Sequence, residues 1–290
     1  MITGAARLRS LLSDGELLVA PGVPDALAAR LVQRAKFSAV YVSGGAIARS
    51  RGTPDLGLLT MSEVLEHLRP IVDAVTIPVI ADADTGYGNA LNVHRTVQEF
   101  SAVGVAALHL EDQESPKRCG HLDDKTLIPG SEMVQKLRAA VDARGEGGPL
   151  LIARTDAIAV EGLEAALERA LRYREAGADV LFVEAPENEE QIEAIARRLP
   201  GPKLINMFFG GKTPLLPAQR LAALGYNIVI IPSDLQRAAM RAMADTLDAI
   251  SRDGDSHAMA DRMVSFDERK EIVGTADRLA LSERYRASSG

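Results

Sequence analysis

A chain of 290 residues that is 47% hydrophobic and 25% charged carries enough apolar content for one large buried core, which sets it apart from disordered and fibrous chains. Its formal net charge of -7 and its lack of any Lys/Arg run exclude a nucleic-acid surface, which needs a clustered positive footprint. No apolar run approaches the roughly 18 residues that span a bilayer, and the N-terminus lacks a signal-peptide pattern. The single cysteine excludes an internal disulfide or a multi-cysteine zinc site, so a cytoplasmic enzyme without a membrane partner is expected.

From residue 17 onward one pattern recurs eight times: a short apolar run ending in polar residues or glycine, then a longer segment with helical spacing of Ala and Leu. In chain order the strand and helix pairs fall at 17–20 and 26–35, 39–43 and 62–74, 79–84 and 90–103, and 106–111 and 131–143. The remaining four fall at 150–154 and 163–176, 180–184 and 189–199, 203–206 and 217–224, and 228–232 and 235–251. Near-continuous apolar strands such as Ile228-Val229-Ile230-Ile231 suit a parallel sheet buried on both faces. Eight βα units predict a (β/α)8 TIM barrel. The competing doubly wound sheet calls for a Gly-rich phosphate turn after the first strand, and Pro21-Gly22-Val23-Pro24 is not one. Beyond the barrel, assigned to 1–252, the extension 253–290 reads as two helices parted at Gly274-Thr275, which either meet another subunit or pack on their own barrel.

Barrel enzymes place their chemistry at the carboxyl ends of the strands. Here those ends carry Tyr41 with Ser43-Gly44-Gly45, Asp82 and Asp84, His109 and Glu111, Arg154, Glu184, Asn206 and Ser233. Asp82 and Asp84 lie two apart and share a face of their strand, as do His109 and Glu111. Capping helices or pairing with Arg154 is the ordinary use of such acids, but their recurrence at consecutive strand ends favours a shared metal site. Three carboxylates without a thiolate cluster select a hard ion, Mg2+ or Mn2+ before zinc. Ser43-Gly44-Gly45 can offer backbone N–H groups to a carboxylate, and the planar fork of Arg154 suits bidentate carboxylate binding.

The connection 113–130 contains Lys117-Arg118-Cys119-Gly120-His121. Connections longer than about 12 residues in compact domains are often active-site lids. A thiol flanked by two cations and a histidine is expected to ionise more easily than a solvated one, and Gly120 lets the loop approach a ligand. A lone cysteine is usually a small buried apolar residue, yet this charged loop is a poor core segment.

Taken in order, YVSGG, GTPDLG, DADTGYGN, LHLEDQ with PKRCGH, ARTDA, FVEAP and GGKTP span residues 41 to 214. With them the chain resembles the isocitrate lyase and phosphoenolpyruvate mutase superfamily. It is similar to the short bacterial and fungal members, which include 2-methylisocitrate lyases, 2,3-dimethylmalate lyases and carboxyphosphonoenolpyruvate phosphonomutases. The resemblance implies a (β/α)8 barrel whose eighth helix is exchanged between subunits, in a homotetramer built as a dimer of dimers. It implies a Mg2+ site served by Asp55, Asp82, Asp84 and Glu111, with Ser43, Gly44, Gly45, Arg154 and Asn206 holding substrate carboxylates. It makes Cys119 the catalytic acid/base with Glu184 and His121 beside it, places Lys117 and Gly120 among the substrate-binding residues, and gives Arg237 a carboxylate contact.

The KRCGH loop argues against oxaloacetate decarboxylases, which generally lack the cysteine, and against phosphoenolpyruvate mutases. The phosphonomutase branch keeps a similar loop and the GGKTP run. Methylisocitrate lyases tend to have Glu-Phe-Gly-Ala-Thr-Pro where this chain has Phe209-Gly210-Gly211-Lys212-Thr213-Pro214, a departure that points toward a dimethylmalate-like substrate. The expected reaction is retro-Claisen cleavage of a 2-hydroxy di- or tricarboxylate to pyruvate or glyoxylate and a second acid. In it Tyr41, a bound water or a carboxylate takes the hydroxyl proton, Arg154 and backbone N–H groups steady the enolate, and Cys119 protonates it. Phosphorus–carbon or decarboxylation chemistry, and a barrel that binds a dicarboxylate without catalysis, are the alternatives.

Overall fold

The computed structural model describes residues 3–121 and 124–287. Its eight parallel strands are β1 (Leu18–Pro21), β2 (Val40–Val42), β3 (Val79–Asp82), β4 (Ala107–Glu111), β5 (Leu150–Thr155), β6 (Val180–Val183), β7 (Lys203–Asn206) and β8 (Ile228–Ile231). They pair in sequence from β2 to β8, and β8 returns to β1. A parallel bridge between Gly22 and Tyr41 closes the remaining seam, with the Val23 N–H donating to the Tyr41 carbonyl at 2.9 Å. Closure needs a residue without a side chain, since a Cβ on Gly22 would lie 2.4 Å from the Pro232 backbone. The eight-stranded parallel barrel expected from the sequence is therefore present.

Alternation along each strand sorts two cores. Outward residues such as Val79, Ala81, Leu108 and Leu151 pack under the helices, among them α4 (Met61–Ala74), α5 (Ala90–Val103), α6 (Gly130–Arg144) and α8 (Leu163–Glu175). Inward residues fill the barrel itself: Leu18, Ala20, Tyr41, Ile80, Ala107, Ile152, Phe182, Leu204, Ile228 and Ile230. A helix that the strand pattern did not anticipate, α1 (Gly4–Ser13), plugs the amino-terminal end by adding Ala5 and Leu8 to this inner cluster. Burying a side chain such as Leu8 contributes roughly 1.5–3 kcal/mol. Thr3 caps α1 by accepting from the Ala6 N–H.

At the other end the inward positions turn polar. Two residues on from Ile80 stands Asp82, from Ala107 His109 and then Glu111, from Ile152 Arg154, from Phe182 Glu184, and from Leu204 Asn206. The register sets Asp82 beside His109 and Glu111 beside Arg154 on neighbouring strands. The chain thus fills the floor of its barrel with hydrocarbon and the mouth with titratable groups.

Ser43-Gly44-Gly45, read from sequence as a source of backbone N–H groups for a carboxylate, opens a short helix α3 (Gly44–Ser50), with Ser43 at its N-cap. Glycines and the seven-residue length hide it from any periodicity test. Two helices of ordinary place, α2 (Ala26–Arg34) and α10 (Ala218–Leu224), flank β1 and β8, and a four-residue helix, α7 (Ile158–Glu161), precedes α8, with α9 (Glu189–Arg198) following β6. The last barrel helix, α11 (Asp234–Asp253), is 20 residues long and buries only Gln236 and Ala249. A 3-10 segment His257–Arg262 leads to α12 (Phe266–Ile272) and α13 (Thr275–Ala287). In the tail α12 returns to its own barrel, burying Ile272 and setting Glu268 and Glu271 within 3.6 and 3.5 Å of Arg34 on α2.

Candidate active site

A cleft of about 590 Å3, its open mouth included, lies over the carboxyl ends of the strands, in the ordinary size range of small-molecule sites. Of the residues singled out from sequence, Tyr41, Ser43, Gly45, Asp55, Asp82, Lys117, Cys119, Gly120, His121, Arg154, Glu184 and Asn206 line it. Glu111, Asp84 and Gly44 sit directly behind. Glu111 meets Arg154 at 3.1 Å, Asp84 meets the Lys117 ammonium at 2.9 Å, and the Gly44 N–H donates to Asp82 Oδ2 at 2.9 Å. The Gly44 amide therefore fixes a carboxylate of the protein. Arg237 stands outside: its side chain is 48% exposed, lies over the Phe209 ring and donates to the Phe209 carbonyl.

Three polar clusters meet in the cleft. In the first, Asp82, His109 and Glu111 each bring one ligand atom within 4.8 Å of the others, all buried. Glu111 Oε1 has no donor, and an unpaired acceptor at such depth is costly unless something occupies it. Asp82 is held to about 2, because His109, Lys117 and Arg154 outweigh its burial, whereas burial, reinforced by Asp82, pushes Asp84 up to about 6 against the pull of Lys117. Asp84 also adopts φ 47°, a strained backbone for a residue with a side chain. An ionised Asp82, an unpaired oxygen on Glu111, whose carboxyl burial pushes well up, and a single imidazole fit a hard divalent cation held by Asp82 and Glu111, with Asp84 and Asp55 close by. His109 enters this cluster although sequence reasoning gave it no metal role; its two-residue spacing from Glu111 was the available signal.

The second cluster centres on Arg154. Its Nε and Nη2 grip Asp156 at 2.9 and 3.0 Å, its Nη1 meets Glu111, and its guanidinium lies 5.4 Å from the Phe182 ring centre. Asp156 is fixed in turn by Lys125 and by a hydrogen bond from its own N–H to Asp112. The cleft also contains Arg49, which the sequence did not mark; its Nε donates to Gln236 on α11 at 2.7 Å, and its Nη1 lies beside Gly45. An arginine inside a short Gly-Ala helix gives no signal of its own.

The third cluster is the cysteine loop. Gly120 presses against the site so closely that a Cβ there would fall 2.4 Å from Arg154 Nη2 and 2.7 Å from Glu184 Cγ. His121 Nε2 lies 2.8 Å from Glu184 Oε1, while its Nδ1 accepts the Lys212 N–H at 2.9 Å, so the neutral ring carries its proton on Nε2 and donates it to Glu184. The Gly210–Pro214 run thereby touches the loop directly. Asn206 Nδ2 also donates to Glu184 at 3.1 Å, leaving Glu184 Oε2 and Asn206 Oδ1 buried without partners. The ionisation expected of Cys119 is reversed. Burial and then the Asp55 charge push its thiol up, because the Lys117 ammonium is drawn to Asp55 and Asp84 and Arg118 points outward to Asp124. Residues 122 and 123 of this connection lie outside the described residues.

A sequence profile of the family described as phosphoenolpyruvate phosphomutase matches residues 8–251. The chain belongs to the phosphoenolpyruvate mutase/isocitrate lyase superfamily. It is 47% identical over 271 residues to a 2,3-dimethylmalate lyase of Eubacterium barkeri, covering 93% of this chain and 94% of that protein. It is 44% identical over 270 residues to a 2-methylisocitrate lyase of Aeropyrum pernix, covering 93% and 87%. A crystal structure of 2,3-dimethylmalate lyase superposes with a TM-score of 0.93 at 36% identity, covering 98% and 96% of the two chains. The chain is thus an enzyme of the superfamily's lyase branch, a carbon–carbon lyase. Another superfamily structure, phosphonopyruvate hydrolase at 34% identity with a TM-score of 0.89 and coverage of 98% and 99%, is a complex with oxalate and Mg2+.

Proposed function

We propose that the protein cleaves a 2-hydroxy dicarboxylate of the 2,3-dimethylmalate type into a 2-oxo acid and a second carboxylic acid. The observation that carries this reading is the meeting of Cys119, the Asp82–Glu111 carboxylates and Arg154 in one cleft. Two guanidinium groups, Arg154 and Arg49, line that cleft while Arg237 lies outside, which supports two substrate carboxylates over three. Similarity to the Eubacterium barkeri enzyme points the same way.

Bound by Asp82 and Glu111, with Asp55 and Asp84 beside them, Mg2+ or Mn2+ would supply Lewis-acid polarisation of the substrate's hydroxyl and carboxylate. The proton of that hydroxyl passes to Tyr41 as Tyr41 gives its own to His109. The Tyr41 oxygen lies 2.7 Å from His109 Nε2, and burial keeps the phenol protonated and the imidazole neutral. Cleavage of the carbon–carbon bond leaves an enolate, which Arg154 and the Gly45 end of α3 stabilise. Cys119 then delivers its proton to the enolate carbon, with the Glu184–His121 pair fixing the loop that carries it. The assembly is proposed as a homotetramer in which α11 is exchanged between subunits, because Leu235, Met243, Leu247 and Ile250 lie exposed along α11 and an apolar groove stands open beside β1, lined by Leu27, Leu31 and Ile231.

The test screens 2,3-dimethylmalate, 2-methylisocitrate, isocitrate, oxaloacetate and a phosphonate for 2-oxo acid release with wild type and Cys119→Ser in the presence of Mg2+. Release of pyruvate from 2,3-dimethylmalate is expected, with kcat lower by about 10²–10⁴ in Cys119→Ser. Near-normal turnover in that variant removes Cys119 from the chemistry, and preference for a tricarboxylate removes the dicarboxylate assignment.

A further inference from the structure

Lys125 is a buried cation outside the groups assigned to substrate, metal or proton transfer. Its side chain is 1% exposed, and isolating an ammonium at such depth costs several kcal/mol unless oxygen acceptors surround it. It has two acceptors, from different parts of the fold. One is the carbonyl of Gly120, the residue after Cys119; the other is Asp156 Oδ1, at 3.3 Å, on the carboxylate that grips Arg154. The loop base is fastened separately. Gln113 pairs in a bridge with Leu127, and its side-chain amide both accepts the Arg118 N–H and donates to the Arg118 carbonyl at 2.9 Å.

The Gln113 fastening ends at Arg118, one residue before the cysteine. Lys125 takes over one residue after it. We propose that Lys125 is a positioning residue that clamps the Gly120 carbonyl to Asp156, holding the Cys119 thiol in register with the Arg154 end of the substrate. The clamp explains how Gly120 is kept where a Cβ would strike both Arg154 and Glu184, although the described residues around it have little regular structure. Methionine at position 125 would keep most of the volume and remove the donor, freeing the carbonyl while Asp156 retains its two bonds to Arg154.

This inference rests on the assignment of Cys119, so its test reads the loop without relying on turnover. The chain has one cysteine, so the rate of iodoacetamide modification in the full-length, Mg2+-loaded enzyme, followed across pH to separate access from ionisation, reports the state of that thiol. Lys125→Met is expected to raise that rate about tenfold or more and to lower kcat about 100-fold with KM changed less than about threefold, as befits a displaced proton donor. Lys125→Gln, which keeps a donor on a shorter arm, is expected to fall between the two. A fall in kcat with no change in modification rate would assign the effect to Asp156 and Arg154 and overturn the clamp. Failure of both variants to fold, judged by circular dichroism and thermal melting, would assign Lys125 to the fold and overturn it equally. If wild type releases no 2-oxo acid from any substrate but Lys125→Met still exposes the thiol, the reaction assignment fails and the clamp stands.

Discussion

A thiol that delivers a proton has to hold it at working pH, and burial together with the Asp55 carboxylate holds it on Cys119. Alkylation of the wild-type thiol at neutral pH is expected to be roughly tenfold or more slower than that of an exposed cysteine, and to keep rising with pH beyond the ordinary thiol range. A plateau reached near neutrality would show a thiolate and reverse the role. Asp84 has a different linkage. Its pKa is raised from 3.8 to about 6 in the folded chain, so the stability owed to its proton is complete below 3.8 and lost as pH rises through about 6. A divalent ion needs that carboxylate ionised, so Mg2+ is expected to raise Tm more at about pH 7.5 than at about pH 5. Equal increments at the two pH values would exclude Asp84 from metal binding.

Local elements bring these residues to their working distances. The strand ends could be read in the sequence because a period of two puts Ile80 and Asp82, or Phe182 and Glu184, on one face whatever surrounds them. The α3 helix and the cysteine loop could not be read in the same way, since neither has a periodic apolar face. Their form depends on what they touch: α3 through the Gly44 bond to Asp82 and the Gln236 bonds to Arg49 and Ala46, the loop through Gln113, Lys125 and Lys212. Gly120→Ala tests the loop's fit. With its Cβ inside contact distance of Arg154 and Glu184, the variant is expected to lose about 100-fold or more in kcat while melting within a few degrees of wild type, because a displacement near 1 Å is enough to spoil alignment. Retained activity would show that the loop reacts from a more open position.

At the scale of the whole molecule α11 is anomalous. Leu235, Met243, Leu247 and Ile250 are 44%, 58%, 65% and 42% exposed along a helix that buries two residues, and Leu27 and Leu31 border the open groove near β1. Leu31→Glu is expected to shift the assembly to smaller species in sedimentation velocity while leaving the monomer's secondary structure intact. An unchanged sedimentation profile would remove this groove from the interface. The sequence by itself determined the eight βα units, the polar ring at the strand ends and the loop bearing Cys119, because strand periodicity and turn chemistry are local properties of the chain. Tertiary structure decided which neighbour each charge meets. Lys117 could have favoured the Cys119 thiolate but is drawn to Asp55 and Asp84, and Arg237 lies outside while Arg49 lines the cleft. Lys125, ordinary in sequence, is buried between Gly120 and Asp156. Pairing of buried charges depends on distances set by strands and loops far apart in the chain, and no local pattern records those distances.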